Sequence, residues 1–192
     1  MLKVAISGNI ASGKTTVQKL MLERGYKVLD TDDVSKDLLT VENKELLDAF
    51  KDYDVFENEE FSRYKMGQLI FSDGKARKLI AEIMHPQIKE KMLEFFEKNS
   101  SENIVFVGIP LLFEANMQDL FDKIIFVYTD DDIRLQRLIK RNNYTKEHAI
   151  SRIQSQMPQD DKIKLSDYVI NNNGTQVELE NQVVDLLKEL IF

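Results

Sequence analysis

Short runs of apolar, β-branched residues alternate along the chain with longer stretches of helical periodicity. This order is typical of a parallel sheet covered by helices. Two of the runs are apolar without alternation, as expected for strands buried on both faces. The predicted strands span residues 2–7, 26–30, 103–108, 123–128 and 167–170.

The intervening stretches predict helices, because their apolar residues recur three and four positions apart. Thr175 and Glu178 have the spacing of a capping box at the start of the last helix. The stretch 40–98 contains no convincing strand, and we interpret it as a helical insertion between the second and third strands. The three prolines, Pro86, Pro110 and Pro158, each lie at a predicted boundary. The predicted helices span residues 14–23, 33–39, 61–70, 75–84, 86–98, 145–156 and 175–190, with one more opening at 130–132.

The segment GNIASGKT, from Gly8 to Thr15, fits the phosphate-loop pattern G-x-x-x-x-G-K-[ST]. Its glycines allow a tight turn in which successive backbone N–H groups face one concavity. Lys14 can place its charge on the outer phosphates of a nucleotide, and the Thr15 hydroxyl can bind Mg²⁺. The helix predicted to follow adds the positive end of its dipole. We therefore predict a nucleoside triphosphate site rather than a glycine-rich turn with a surface lysine.

The phosphate loop alone does not define the reaction. A GTPase would need a guanine-reading N-K-x-D, and the only Asn-Lys pair continues as Glu45-Leu46. No predicted strand ends in the Asp-Glu pair of large motor and remodelling ATPases. At 192 residues, a small-molecule kinase is favoured over a nucleotide-dependent switch that has no small acceptor.

The amino-acid composition excludes several classes of functional site and partner. The chain has no Cys and two His, which excludes disulfides, thiolate nucleophiles and Cys- or His-rich metal sites. The net charge of −7 disfavours nucleic acid as a partner, so a polyanionic substrate must bind at a local basic site. The first apolar stretch is too short for a signal peptide, and no run approaches the roughly 20 residues of a membrane span. We expect a cytoplasmic protein that binds neither nucleic acid nor membrane.

The second predicted strand ends in Asp30-Thr31-Asp32-Asp33. The carboxyl ends of parallel strands surround the ligand crevice, so a carboxylate there can orient an acceptor hydroxyl or bind a Mg²⁺ water. Asp32 is our candidate for that role. Asp32 could equally be the N-cap of the helix predicted from Asp33, and the pattern leaves both interpretations open.

A basic stripe lies on the helix that opens at 130–132. Arg134, Arg137 and Arg141 share one face and could clamp phosphates as a lid closes. They could also form a solvated face paired with the acidic residues 130–132, which the pattern alone favours.

Two further segments have open interpretations. His85, just before Pro86, could contact a ligand or cap a helix that begins at the proline. The run Pro110-Leu111-Leu112-Phe113-Glu114 follows the third strand and could contact an organic substrate. Core packing is the commoner use of such an apolar run.

Taken together, these segments resemble the dephospho-coenzyme A kinase family, in order and over nearly the whole chain. The resemblance implies an α/β fold, with a three-layer P-loop kinase core around a five-stranded parallel sheet, a helical substrate-binding insertion and a small lid. It also implies transfer of the ATP γ-phosphoryl group to the ribose 3′-hydroxyl of dephospho-CoA, the last step of coenzyme A synthesis. The alternative is a P-loop kinase acting on a nucleoside monophosphate or another small metabolite. Besides the phosphate loop, the matching segments are DTDDVSK (30–36), HPQIK (85–89), PLLFE (110–114), RLQRLIKR (134–141), RIQSQ (152–156) and DYVINNNG (167–174).

The resemblance assigns roles to residues and regions. It implies a nucleotide-binding core of residues 1–39, 99–130 and 165–192, a CoA-binding insertion at 40–98, a lid at 131–164, and a monomer or small homo-oligomer. The implied catalytic residues are Asp32, Lys14, Arg137 and Arg141. ATP and Mg²⁺ would be held by Gly8, Ala11, Ser12, Gly13, Lys14, Thr15, Thr16 and Asn173, with Thr15 as the metal ligand. Dephospho-CoA would contact Asp32, His85, Leu111, Leu112 and Glu114.

Four positions depart from the usual family pattern. Lys36 and Lys89 stand where the family usually has Arg, and Lys lacks the bidentate fork of a guanidinium. Arg134 stands where Gln is frequent. Thr15 replaces the commoner Ser and keeps the hydroxyl.

Overall fold

The computed structural model describes residues 1–40, 43–57 and 60–191. None of the helices in these ranges is both long and apolar enough to cross a membrane. The strands are β1 (Leu2–Ser7), β2 (Lys27–Asp30), β3 (Phe56–Glu57), β4 (Glu60–Phe61), β5 (Ile104–Gly108), β6 (Lys123–Tyr128) and β7 (Tyr168–Asn171). The α-helices are α1 (Lys14–Glu23), α2 (Thr31–Leu38), α3 (Lys44–Phe50), α4 (Arg63–Ser72), α5 (Gly74–Lys98), α6 (Asp131–Asn142), α7 (Lys146–Gln154), α8 (Gln159–Lys164) and α9 (Gln176–Ile191).

Five strands form one parallel sheet in the order β2-β5-β1-β6-β7, which confirms the predicted α/β class. β1 is central because it pairs with β5 on one side and with β6 on the other. The chain fills one side of β1 first and then crosses to the other, which makes the end of β1 the usual place for a ligand in such sheets.

The sheet is held by apolar burial on both faces. Every residue of β5 is buried, and so are the four central residues of β6. α1 and α9 pack against each other, and their apolar faces join the core of the sheet through residues such as Met21 and Val183. The capping box predicted at Thr175 and Glu178 is present, since Thr175 N–H donates to Glu178 Oε2 at 2.7 Å.

The chain divides into two compact units. The first comprises Met1–Asp30 and Phe96–Phe192, and the second is Thr31–Phe95. The second unit is mainly helical, and its own apolar core includes Leu46, Phe50 and Met66.

Several local predictions were wrong. The insertion contains a short antiparallel pair, β3 with β4, although no strand was expected there, and α3 was not predicted either. α5 runs through Pro86, where two separate helices were predicted. Proline removes one backbone donor from a helix, but apolar residues on both sides of Pro86, such as Met84 and Met92, are buried along α5.

Candidate active site

The strand–loop–helix context of the phosphate loop is confirmed. β1 ends at Ser7 and α1 begins at Lys14, with the segment 8–13 forming the turn. Two of its residues are left-handed, Ala11 at φ 64° and Gly13 at φ 99°. Ser12 N–H donates to Asn9 O at 3.0 Å, which closes the turn.

Lys14 is nearly buried, at 7% exposure. Its ammonium lies 3.1 Å from Asp30 Oδ1 and 3.2 Å from Gln18 Oε1. Asp30 is the last residue of β2, so the charge of Lys14 is balanced by a carboxylate at the end of another strand of the same sheet. Thr15 and Thr16, in the first turn of α1, are exposed.

The phosphate loop is tethered by side chains from distant parts of the chain. Ser12 O accepts hydrogen bonds from Asn172 Nδ2 at 2.7 Å and from Thr129 Oγ1 at 2.8 Å. Asn172 and Thr129 are both buried. They come from the segments just after β7 and β6, so the carboxyl ends of three strands meet at this loop.

The three arginines of α6 have different surroundings. Arg134 is buried, pairs with Asp131 Oδ1 at 2.5 Å, and approaches Ile10 O of the phosphate loop at 3.4 Å. Arg137 donates to Asn172 O at 3.0 Å and to Ala11 O at 3.5 Å. Arg141 is exposed. The solvated basic face favoured by the pattern is therefore wrong for Arg134 and Arg137, and it fits Arg141.

The connection between α7 and α8 also contacts the phosphate loop. Gln156 Oε1 accepts from Ile10 N–H at 2.7 Å, and Asn9 Nδ2 donates to Met157 O at 3.0 Å. Both hydrogen bonds join the predicted lid, 131–164, directly to the loop. Neither α8 nor these contacts were predicted.

Glu114 also contacts the connection between α7 and α8. Its Oε1 accepts from Met157 N–H at 3.1 Å and lies 2.8 Å from the fully buried Nζ of Lys162. Burial lowers the pKa of Lys162, while the Glu114 carboxylate opposes that shift. Glu114, predicted to bind the acceptor, thus has a structural role as an ion-pair partner.

The apolar residues before Glu114 differ in exposure. Leu112 is fully buried and Leu111 is 44% exposed. The burial of Leu112 favours core packing, the commoner use of such a run, whereas Leu111 presents its side chain to solvent.

Asp32 and His85 lie in the second unit. Asp32 falls in the first turn of α2, which starts at Thr31, so its alternative as the N-cap of a helix starting at Asp33 is wrong. His85 lies within α5, so it caps no helix. Burial lowers the pKa of His85, which keeps its imidazole neutral at pH 7.

Asn173, predicted to contact ATP, sits just beyond β7. Its side chain exchanges two hydrogen bonds with Asp130, one to the Asp130 carboxylate at 2.9 Å and one from the Asp130 N–H at 2.8 Å. These bonds fix the loop 171–174 next to the start of α6.

Sequence reasoning missed the residues that hold the loop from afar. Thr129, Gln156 and Asn172 carry no local signal for that role, because each acts through a partner at least 117 positions away. The segments RIQSQ and DYVINNNG, which contain two of them, were noted for their resemblance only. Asp30 belongs to the acidic strand end that predicts a carboxylate at the crevice, but its ion pair with Lys14 was not predicted.

Among the described residues, no group of three or more His, Asp or Glu side chains is arranged to hold a metal ion. Mg²⁺ does not require such a group, since it is usually bound by substrate phosphates, waters and one or two protein oxygens. The exposed Thr15 hydroxyl fits that pattern of ligands.

Comparison with known proteins identifies a family for this chain. The family model for dephospho-CoA kinase matches residues 2–178. The dephospho-CoA kinase of Geobacillus kaustophilus is 38% identical over 98% of this chain and 96% of its own. A solved Thermus thermophilus protein, TT1252, aligns with a TM-score of 0.86 at 29% identity, covering 98% of this chain and 97% of its own. The dephospho-CoA kinase from Campylobacter jejuni aligns with a TM-score of 0.71 at 26% identity, over 98% of this chain and 96% of its own. On this evidence, the chain belongs to the dephospho-CoA kinase family.

Proposed function

We propose that this protein transfers the γ-phosphoryl group of ATP to the ribose 3′-hydroxyl of dephospho-CoA, giving coenzyme A and ADP. The observation that carries the proposal is the tethered phosphate loop, with Lys14 held at the carboxyl end of β2. Membership of the family selects dephospho-CoA as the acceptor.

The reaction forms a bond between the ribose 3′-oxygen and the γ-phosphorus and breaks the bond from that phosphorus to the bridging oxygen of ADP. Asp32 accepts or orients the proton of the 3′-hydroxyl. Lys14, Arg137 and Arg141 stabilise the negative charge on the transferring group. Arg137 is supported in this role by its hydrogen bonds to the phosphate loop at Ala11 and to Asn172, just beyond β7.

ATP is bound through the backbone of Gly8, Ala11, Ser12 and Gly13 and through Lys14, Thr15 and Thr16. Thr15 would hold Mg²⁺, which would supply positive charge to the phosphates of ATP. Asn173 lies on the loop that we assign to the adenine.

The acceptor is selected by the helical insertion, 40–98, together with His85, Leu111 and Glu114. The neutral imidazole of His85 suits a hydrogen bond to an uncharged group of the acceptor. The lid, 131–164, excludes water during transfer, because an open site would hydrolyse ATP. We place the reaction in the cytoplasm, with a monomer or small homo-oligomer as the working form.

The test is to incubate the protein with Mg²⁺, ATP and dephospho-CoA and to measure coenzyme A by mass spectrometry. The expected product is heavier than dephospho-CoA by one phosphoryl group, placed at the 3′ position. A parallel panel of nucleoside monophosphates and other small hydroxyl compounds serves as the comparison. Turnover of a panel member without turnover of dephospho-CoA would overturn the proposed acceptor and support the alternative kinase. ATP hydrolysis that responds to none of the acceptors would support a nucleotide-dependent switch.

A further inference from the structure

Gln156 is hydrogen-bonded to one backbone amide in the middle of the phosphate loop. Its side-chain oxygen accepts from Ile10 N–H at 2.7 Å, although the two residues are 146 positions apart. Ile10 is the third residue of the GNIASGKT segment. In such loops the backbone N–H groups are the groups that recognise phosphate, so the orientation of this peptide bears directly on nucleotide binding.

The hydrogen bond from Ile10 to Gln156 lies next to a residue with an unfavourable backbone conformation. Ala11, the next residue, has φ 64°, a conformation that side chains other than glycine adopt only at a cost in free energy. Gln156 fixes the peptide before Ile10, and the guanidinium of Arg134 approaches the Ile10 carbonyl at 3.4 Å. Ile10, which precedes the strained Ala11, thus has both its backbone N–H and its carbonyl in contact with side chains outside the loop.

The position of Gln156 is itself set by neighbouring contacts. Met157, the next residue, accepts through its carbonyl from Asn9 Nδ2 and donates its N–H to Glu114 Oε1. Lys162 pairs with the same Glu114 oxygen at 2.8 Å. The α7–α8 connection is therefore held between the phosphate loop and the segment that follows β5, with Gln156 on the loop side.

We propose that Gln156 is a positioning residue for ATP, which sets the geometry of the phosphate loop through Ile10. The proposal rests on the proposed function for the identity of the reaction, but its effect on nucleotide binding can be measured without the acceptor. A carboxamide is suited to this position because its oxygen accepts a hydrogen bond without adding negative charge beside the triphosphate.

The decisive comparison is between Gln156→Leu and Gln154→Leu. Leucine has a similar size and no acceptor, and Gln154 is an exposed residue at the end of α7. We expect Gln156→Leu to raise both the Kd and the KM for Mg·ATP by about threefold to tenfold, the range of one lost hydrogen bond. The KM for dephospho-CoA should change by less than about twofold, and Gln154→Leu should match the wild type. Calorimetric titration with a non-hydrolysable ATP analogue measures the Kd.

A second variant separates positioning from general stability. Gln156→Glu keeps an acceptor oxygen at the same reach, so its unfolding temperature without nucleotide should stay near that of the wild type. Its added charge should weaken ATP binding, and the ratio of its Kd to that of the wild type should fall as salt is raised. This variant keeps the proposal testable if Gln156→Leu does not fold.

The outcomes are distinguishable. Wild-type ATP affinity in Gln156→Leu, or an equal loss in Gln154→Leu, would overturn the positioning role. A Gln156→Glu variant that at high salt binds ATP as weakly as Gln156→Leu would also overturn it, because its acceptor oxygen should restore the loop once the added charge is screened. Failure of the wild type to phosphorylate dephospho-CoA would instead overturn the proposed function, while the Kd values would still decide the role of Gln156.

Discussion

The ammonium of Lys14 lies 3.1 Å from Oδ1 of Asp30, with side-chain exposures of 8% and 19%. This ion pair joins the phosphate loop to the end of β2. The Lys14 ammonium, which we propose binds the nucleotide phosphates, is therefore already paired with a carboxylate before ATP binds.

Asp30→Asn should therefore destabilise the protein, because the nearly buried ammonium of Lys14 loses a charged partner. We expect the free energy of unfolding to fall by about 1–3 kcal/mol. Saturating Mg·ATP should reduce the difference from the wild type, since phosphate replaces the missing anion. Thermal unfolding with and without nucleotide measures both effects, and a difference that ATP leaves unchanged would contradict the expected exchange of partners.

Asp32→Asn should remove the group that we propose as the acceptor of the hydroxyl proton. We expect the kcat to fall by roughly 10²–10⁴-fold, with little change in the Kd for ATP. Asp33→Asn is the matched control, since Asp33 is adjacent, 73% exposed and paired with Lys36 at 2.7 Å. If Asp32→Asn turned over near the wild-type rate, the role of proton acceptor would have to be assigned to another residue.

Removal of the charge should lower stability at Arg134 and catalytic activity at Arg141. Arg134→Met deletes a buried guanidinium with its pair to Asp131 and should lower the free energy of unfolding by about 1.5–3 kcal/mol. Arg141→Met, on an exposed residue, should leave stability within about 0.5 kcal/mol and lower the kcat. Chemical denaturation and steady-state kinetics on both variants make the comparison. Unchanged kinetics in Arg141→Met would remove it from the proposed catalytic residues.

The capping box of α9 should make stability depend on pH. Hydrogen bonds from the Thr175 backbone N–H and hydroxyl lower the pKa of Glu178. Because the pKa is lower in the folded state, the stabilisation is present above the unfolded value of about 4.3 and is lost as pH falls through the folded value. The difference in stability between the wild type and Glu178→Gln should therefore shrink on acidification. Glu189→Gln, an exposed change at the other end of α9, should not reproduce this pH dependence; if it does, the effect is not due to the cap.

The sequence predicts the core of this fold well because the relevant signals are local. β6 was predicted with its observed bounds, and the phosphate loop was placed between its strand and helix. Apolar runs and a glycine-lysine spacing act over fewer than ten residues, so they are readable without the tertiary structure. The same holds for the cap at Thr175.

The remaining features depend on contacts that the local pattern does not contain. The six residues of α8 are too few to show a helical period, and its Lys162 is buried by pairing with Glu114. Pro86 locally predicts a helix boundary, yet α5 continues through it. The hydrogen bond from Asn172 to Ser12 spans 160 positions, so only the assembled sheet brings these two residues together.

The tethers of the phosphate loop have a consequence for the thermodynamics of nucleotide binding. Ile10, Ala11 and Ser12 are held by groups outside the loop, so the loop acquires its shape when the chain folds. A preformed backbone loses little conformational entropy when a ligand arrives. The association of Mg·ATP with this unit should then carry only a small ordering penalty from the loop, and substitutions in the tethers should act chiefly on the entropy of binding.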